Sequence, residues 1–178
     1  MNDSTPDHDG VRFRTPTVAD GAAVWRLVTE SGVLDPNSSY LYLLLCKDFA
    51  ETCVIAEVAG RVVGFVTGYR PPSRPGSVFL WQVGVDASMR GHGLGKRLVS
   101  AFLQSPGAAG ADTLETTISP SNTASRGLFG AIARDIGAEM QVGPGFTQAD
   151  FPPEGDHEDE DLYRIGPLQA DRIKQLTL

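Results

Sequence analysis

The sequence predicts an α/β protein, a mixed and mostly antiparallel sheet flanked by helices on both faces. Three observations carry this. The chain has 178 residues and is 41% hydrophobic, which suits one domain around one core. Two β-branched, apolar runs at 52–58 and 61–69 flank the turn pair Ala59-Gly60, which reads as a hairpin. From residue 77 onward strand-like and helix-like runs alternate, as in strand–helix–strand units.

The elements follow in order. Residues 1–10 offer little to bury and read as a disordered acidic lead-in. Residues 11–15 alternate apolar and basic and suit a first strand. Thr17 and Asp20 have the spacing of a capping box, with Asp in place of the usual Glu. A helix follows to about residue 31, burying Ala23, Val24, Leu27 and Val28, and Gly32 stops it. The turn at 34–39 opens a second helix over 40–49 that is apolar nearly all round. After the hairpin and a Pro-rich loop at 71–76 comes the best strand of the chain, 77–85. A helix is expected over 93–104, a strand over 112–118, and a helix from Asn122 to about residue 136, ended by Gly137. A weak strand over 139–142, a Gly/Pro-rich stretch at 143–156, a last strand at 161–165 and a tail over 167–178 complete the reading. Residues 11–166 are thus expected to form the single folded domain.

Composition excludes several classes. The net charge of -7 argues against a nucleic-acid binder. Nine acids lie in two base-free segments, residues 1–11 and 154–161; the other thirteen face fifteen bases, so the body is mildly basic at +2. Two cysteines, Cys46 and Cys53, make neither a disulfide framework nor a zinc pattern. No apolar run approaches the roughly 18 residues of a membrane span, and the N-terminus is not a targeting signal. A soluble cytoplasmic protein with no metal is expected.

The informative stretch is Val83 to Leu98. A strand runs into a loop with alternate glycines, Gly91, Gly93 and Gly95, that opens a helix. Such a turn aims backbone N–H groups at one spot, at the positive end of the helix dipole. Arg90, Lys96 and Arg97 add cationic charge, so a diphosphate is the natural ligand. A dinucleotide fingerprint fails because Lys96 stands where its third glycine should be, and the spacing is not that of a Walker A loop. A ligand-free glycine turn is the bland alternative.

Arg90-Gly91-His92-Gly93-Leu94-Gly95 resembles the Arg/Gln-x-x-Gly-x-Gly/Ala loop of the GNAT N-acetyltransferase superfamily, and the resemblance covers about residues 11–165. It implies acetyl-CoA as co-substrate, held by Val83, Val85, residues 90–96, Asn122, Ser125 and Phe129. One departure matters: the aromatic is usually a Tyr that can protonate the departing thiolate. Phe129 cannot, which leaves water or another group such as Ser125.

The segments L-D-x-N-S-x-Y-x-Y-L-L-L (34–45), T-x-S-P-S-N-x-A-S (117–125), the strand 79–83 and His157-Glu158-Asp159-Glu160 together resemble the L-2,4-diaminobutyrate acetyltransferases of ectoine biosynthesis. That resemblance implies acetyl transfer to the 4-amino group of L-2,4-diaminobutyrate, a route to the compatible solute ectoine, and a homodimer. A diamine is an ammonium at neutral pH and needs acids nearby and a proton acceptor. Asp35, Glu115 and Glu158 are the acid candidates, with Glu115 the leading catalytic one. Trp81 can wall the aliphatic chain and face a cation. Thr117, Asn122 and Tyr40 can orient the polar ends. Each has a plainer alternative. Asp35 and Asn122 can be helix caps, and Glu115 can be a structural ion pair. Trp81 and Tyr40 can be packing, and Glu158 and His157 solvated loop. The expected mechanism is direct attack in a ternary complex, with a backbone N–H of strand 77–86 on the oxyanion. Another small amine or a peptide N-terminus as acceptor, or a non-catalytic acyl-CoA-binding regulator, are the alternatives.

Overall fold

The computed structural model describes residues 10–178; the expected disorder of the N-terminal lead-in lies outside them, apart from Gly10. Seven strands form one sheet in the order β1-β2-β3-β4-β5-β7-β6. They are β1 (Val11–Arg14), β2 (Cys53–Val58), β3 (Arg61–Tyr69), β4 (Ser77–Val85), β5 (Thr113–Ile118), β6 (Glu139–Phe146) and β7 (Glu160–Gly166). Only β4 and β5 run parallel; every other pair is antiparallel.

Helices α1 (Gly21–Ser31) and α2 (Ser39–Asp48) cover one face. There Val24, Val28, Tyr42, Leu45 and Cys46 pack on Cys53, Ile55 and Phe65. Helices α3 (Leu94–Leu103) and α4 (Thr123–Ile136) cover the other. Leu94, Leu98, Phe102, Phe129 and Ile132 meet Val54, Val66, Val78, Leu80, Leu114 and Ile165. The split follows strand periodicity: Val54 and Ala56 point one way, Cys53 and Ile55 the other.

The capping box forms as its spacing requires. Asp20 accepts from the Thr17 N–H at 2.7 Å and takes a bidentate grip from Arg14 at 2.7 and 2.8 Å. This ion pair holds the Asp20 carboxyl below its usual range. Ala59 and Gly60, both at positive φ, make the tight hairpin turn.

Two stretches differ from the sequence expectation. Strand β6 continues to Phe146, pairing it with Glu160 across a bulge. Gly145 permits this: a Cβ there would overlap the Glu160 carbonyl. The expected C-terminal tail instead holds α5 (Ala170–Lys174), packed beside α4 and tied to the end of α3. Gln104 Nε2 donates to the carbonyls of Ile173 and Leu176, both at 3.1 Å, and Leu176 joins the core. Sparse apolar residues, Leu168, Ile173, Leu176 and Leu178, hid this segment from a periodicity argument.

Candidate active site

The site begins where two strands part. β4 pairs with β5 only from Ser77/Thr113 to Phe79/Glu115, although both continue beyond. A cleft opens past that point, and backbone groups of β4 on its β5 side have no strand partner there. On the other edge of β4 a bulge sets Leu80 opposite Gly68 and Gln82 opposite Thr67, so Trp81 is the extra residue. A bulge re-aims side chains. Trp81 joins the α1/α2 side of the sheet and stacks on Tyr42 at 6.3 Å, while Val83 and Val85 return to the α3 side.

Tyr42 is fully buried, yet its phenol donates to Gln82 Oε1 at 3.0 Å. Gln82 Nε2 in turn donates to the Asp35 carbonyl at 3.4 Å. This links α2, β4 and the 32–38 turn. Burial pushes the Tyr42 phenol up; hydrogen bonds with Asn37 and Gln82 oppose the shift, and the Asp35 charge adds to it. Tyr40, the tyrosine expected to orient the substrate, is 65% exposed on the first turn of α2.

An acidic group sits at the head of β7, next to β5. Glu160 opens β7, half-buried, and hydrogen-bonds Thr117 of β5. Its carboxyl is raised above the ordinary range. Burial is the first cause, the Thr117 bond opposes it, and the charges of Asp35, Glu158 and Asp161 raise it further. Three expected site residues, Asp35, Thr117 and Glu158, thus act electrostatically on Glu160, which sequence reasoning did not single out. The signal was present but masked, because Glu160 sits in a run of six acids within residues 154–161. Glu158 itself accepts from the Ser121 N–H at 3.1 Å and from the Ser121 hydroxyl, fixing the turn before α4. His157 stacks on Phe151 at 4.6 Å.

Glu115 is placed differently from the other acids. It is 1% exposed, and both oxygens are engaged: Oε2 by Arg74 Nε at 2.9 Å, Oε1 by Arg164 Nε at 3.1 Å and Ser77 Oγ at 3.2 Å. Among the described residues, no group of three or more His, Cys, Asp or Glu is placed to hold a metal ion.

The glycine loop leads from β4 to α3. Gly91 and Gly93 have φ of 80° and 76°, which L side chains rarely adopt, and Gly93 is the N-cap of α3. A Cβ at either would meet nothing within 4 Å, so the glycines serve backbone shape rather than packing. Helix N–H groups at this end suit an anion. Arg90 braces the loop through the Val85 and Ser31 carbonyls, both at 3.3 Å. Lys96 pairs with Asp135 at 2.5 Å, and with Arg97 and Arg172 it lines a cleft beside Gly93. His92 is exposed. Asn122 caps α4 by accepting from the Ser125 N–H at 3.0 Å. Phe129 is 2% exposed within the α3/α4 core. Cys46 and Cys53 are buried, and burial pushes their thiols up to about 12 and about 11.

Strands that part beside a glycine loop leading into a helix accord with one family, and the acetyltransferase (GNAT) family profile matches residues 22–132. This chain belongs to the GNAT acetyltransferase family. Within that family it is 50% identical over 156 residues to L-2,4-diaminobutyric acid acetyltransferase of Nocardia farcinica, covering 88% of this chain and 80% of the relative. The enzyme of the same name from Marinococcus halophilus is 48% identical over 160 residues, covering 90% and 92%. Among solved structures, diaminobutyrate acetyltransferase EctA from Paenibacillus lautus, in complex with its substrate L-2,4-diaminobutyric acid and coenzyme A, superposes with a TM-score of 0.85. It is 41% identical, and the match covers 88% of this chain and 95% of that one. The GNAT fold accounts for the parted strands, for the loop and for α3 behind it.

Proposed function

We propose that this chain transfers the acetyl group of acetyl-CoA to the 4-amino group of L-2,4-diaminobutyrate, giving N4-acetyl-L-2,4-diaminobutyrate. The carrying observation is the likeness, at 41% identity and a TM-score of 0.85, to a diaminobutyrate acetyltransferase in complex with its substrate and coenzyme A; the Glu160 carboxyl, raised by burial and by the charges of Asp35, Glu158 and Asp161, supports it. The names of relatives at 41–50% identity support the same acceptor.

The acids attract a cationic amine, and Trp81 walls its short aliphatic chain. An ammonium near pKa 10.4 must lose a proton before attack. Glu160 is the proton acceptor, because its raised pKa makes it a better base than an ordinary carboxylate. Thr117 orients it. Acetyl-CoA supplies the activated acyl carbonyl. The loop from Arg90 to Lys96 holds its diphosphate, with Val83, Val85, Asn122 and Ser125 along the cleft toward it. A β4 N–H beyond the point of parting faces the developing oxyanion. Phe129 is packing, so the departing thiolate takes its proton from water or from Ser125.

The product is the precursor that cyclises to ectoine, which makes the enzyme a step in osmoprotection in the cytoplasm. Among the described residues no helix is long and apolar enough to cross a membrane. A homodimer fits the edge strand β6, where Met140, Val142 and Phe146 are 36, 54 and 58% exposed. The test is proton NMR of the product from acetyl-CoA and L-2,4-diaminobutyrate. The N4-acetyl isomer is expected; the N2-acetyl isomer, or no acetylation, contradicts the proposal.

A further inference from the structure

The sheet face that carries the acids also carries a cationic cluster. Antiparallel pairing sets Glu115 opposite Arg164 and Thr117 opposite Leu162. By strand alternation Glu115, Thr117, Glu160, Leu162 and Arg164 share one face. The intervening residues Leu114, Ile118, Tyr163 and Ile165 are buried on the other. Glu115 lies where β4 and β5 part, and it bridges Arg74 of the 70–76 loop and Arg164 of β7. Two guanidiniums against one carboxylate leave the group at +1 on an otherwise acidic face.

The contact geometry leaves these cations usable. Each arginine gives its Nε to Glu115, which anchors the guanidinium and leaves its outer Nη edge unused by that carboxylate. The Arg74 and Arg164 side chains remain 43% and 51% exposed. Arg74 Nη1 touches Ser73 Oγ at 3.4 Å; among the described residues Arg164 Nη1 and Nη2 have no hydrogen-bond partner. A fixed guanidinium fork is the shape that takes a carboxylate bidentately.

We infer that Arg74 and Arg164, held in place by Glu115, bind the α-carboxylate of the acceptor amino acid. The inference rests on the proposed function and sharpens its specificity. Glu115 is then a positioning residue, and the base is Glu160. The two ends of the face match the two ends of a diamino acid: acids at Asp35, Glu158 and Glu160 for ammonium, guanidiniums for carboxylate. Four residues of strand separate Glu160 from Arg164, about 13 Å between Cα atoms, which leaves room for a short amino acid once both side chains reach inward. The cations also give negative selection, since a polyamine would meet positive charge where it has no carboxylate to offer.

The test compares kcat/KM for L-2,4-diaminobutyrate and for propane-1,3-diamine, its decarboxylated counterpart, in the wild type and in Arg164→Gln, Arg74→Gln and Arg164→Lys. Loss of a charge-assisted bidentate contact should reduce the preference for the amino acid about 10- to 100-fold in Arg164→Gln, mainly through KM, with Arg164→Lys intermediate. Glu115→Gln should raise KM for the amino acid and keep the acid limb of the pH–rate profile. A preference unchanged by the arginine variants, in an enzyme that acetylates diaminobutyrate, overturns this inference alone. Loss of the acid limb in Glu115→Gln also overturns it, by making Glu115 the base. A wild-type enzyme inert toward diaminobutyrate sinks this inference and the proposed function together.

Discussion

On the proposed mechanism Glu160 combines a catalytic advantage with a stability cost. Its carboxyl is raised by burial and by neighbouring acids, so the folded state holds a proton that the unfolded chain releases more easily. Below the ordinary carboxylate pKa both states are protonated and there is no penalty. As pH rises through that value the unfolded chain ionises first, and stability falls until the folded pKa is passed. Glu160→Gln should therefore raise Tm at pH 7 and change it little near pH 4, as differential scanning calorimetry would read. The same variant should lower kcat/KM for diaminobutyrate about 100-fold or more and remove the acid limb of its pH profile. A variant that keeps both its rate and its acid limb would exclude Glu160 as base. Asp35, Thr117 and Glu158 stand out in the sequence because they sit in distinctive segments. Glu160 was not, because six acids within eight residues carry no internal contrast. What separates Glu160 from them is its place at the head of β7 beside Thr117, a consequence of strand register. Glu115 was legible as a buried acid on a central strand. Its guanidinium partners, 41 and 49 residues away in sequence, were not.

At the scale of elements, local chemistry was the readable part. Thr17 and Asp20 announce the start of the first helix, and Asp20 is also clamped by Arg14, which Glu57 holds from β2. Asp20→Ala should destabilise the protein by about 2 kcal/mol, from the lost cap and a stranded partner cation. Urea unfolding would measure it, and a change within 0.5 kcal/mol would make the network incidental. The depressed Asp20 carboxyl also means that this contribution is present above the ordinary carboxylate pKa and is lost as pH falls through the lower folded value. The extension of β6 and the docking of α5 were not readable. The first depends on a close backbone approach at Gly145 to a strand 15 residues later; the second depends on Gln104 meeting two carbonyls 69 and 72 residues away. Leu176→Ala should cost about 2 kcal/mol if α5 is part of the core. A variant as stable as the wild type would show α5 to be an ornament.

At the scale of the whole molecule, charge is sorted rather than merely negative. The glycine loop, Lys96, Arg97 and Arg172 form a cationic side beside α3, and Asp35, Glu158 and Glu160 an anionic one beyond the parted strands. The sheet between them opens only where β4 and β5 separate. On the proposed mechanism this sorting draws a polyanionic acyl donor and a cationic acceptor from opposite sides. The most direct measurement is thioester consumption by the purified full chain, read as kcat/KM across L-2,4-diaminobutyrate, L-2,3-diaminopropionate, ornithine and lysine at one ionic strength. Diaminobutyrate should lead the series by about tenfold or more, a step per methylene set by a pocket of fixed length. A flat profile, or a longer diamino acid in the lead, would contradict it.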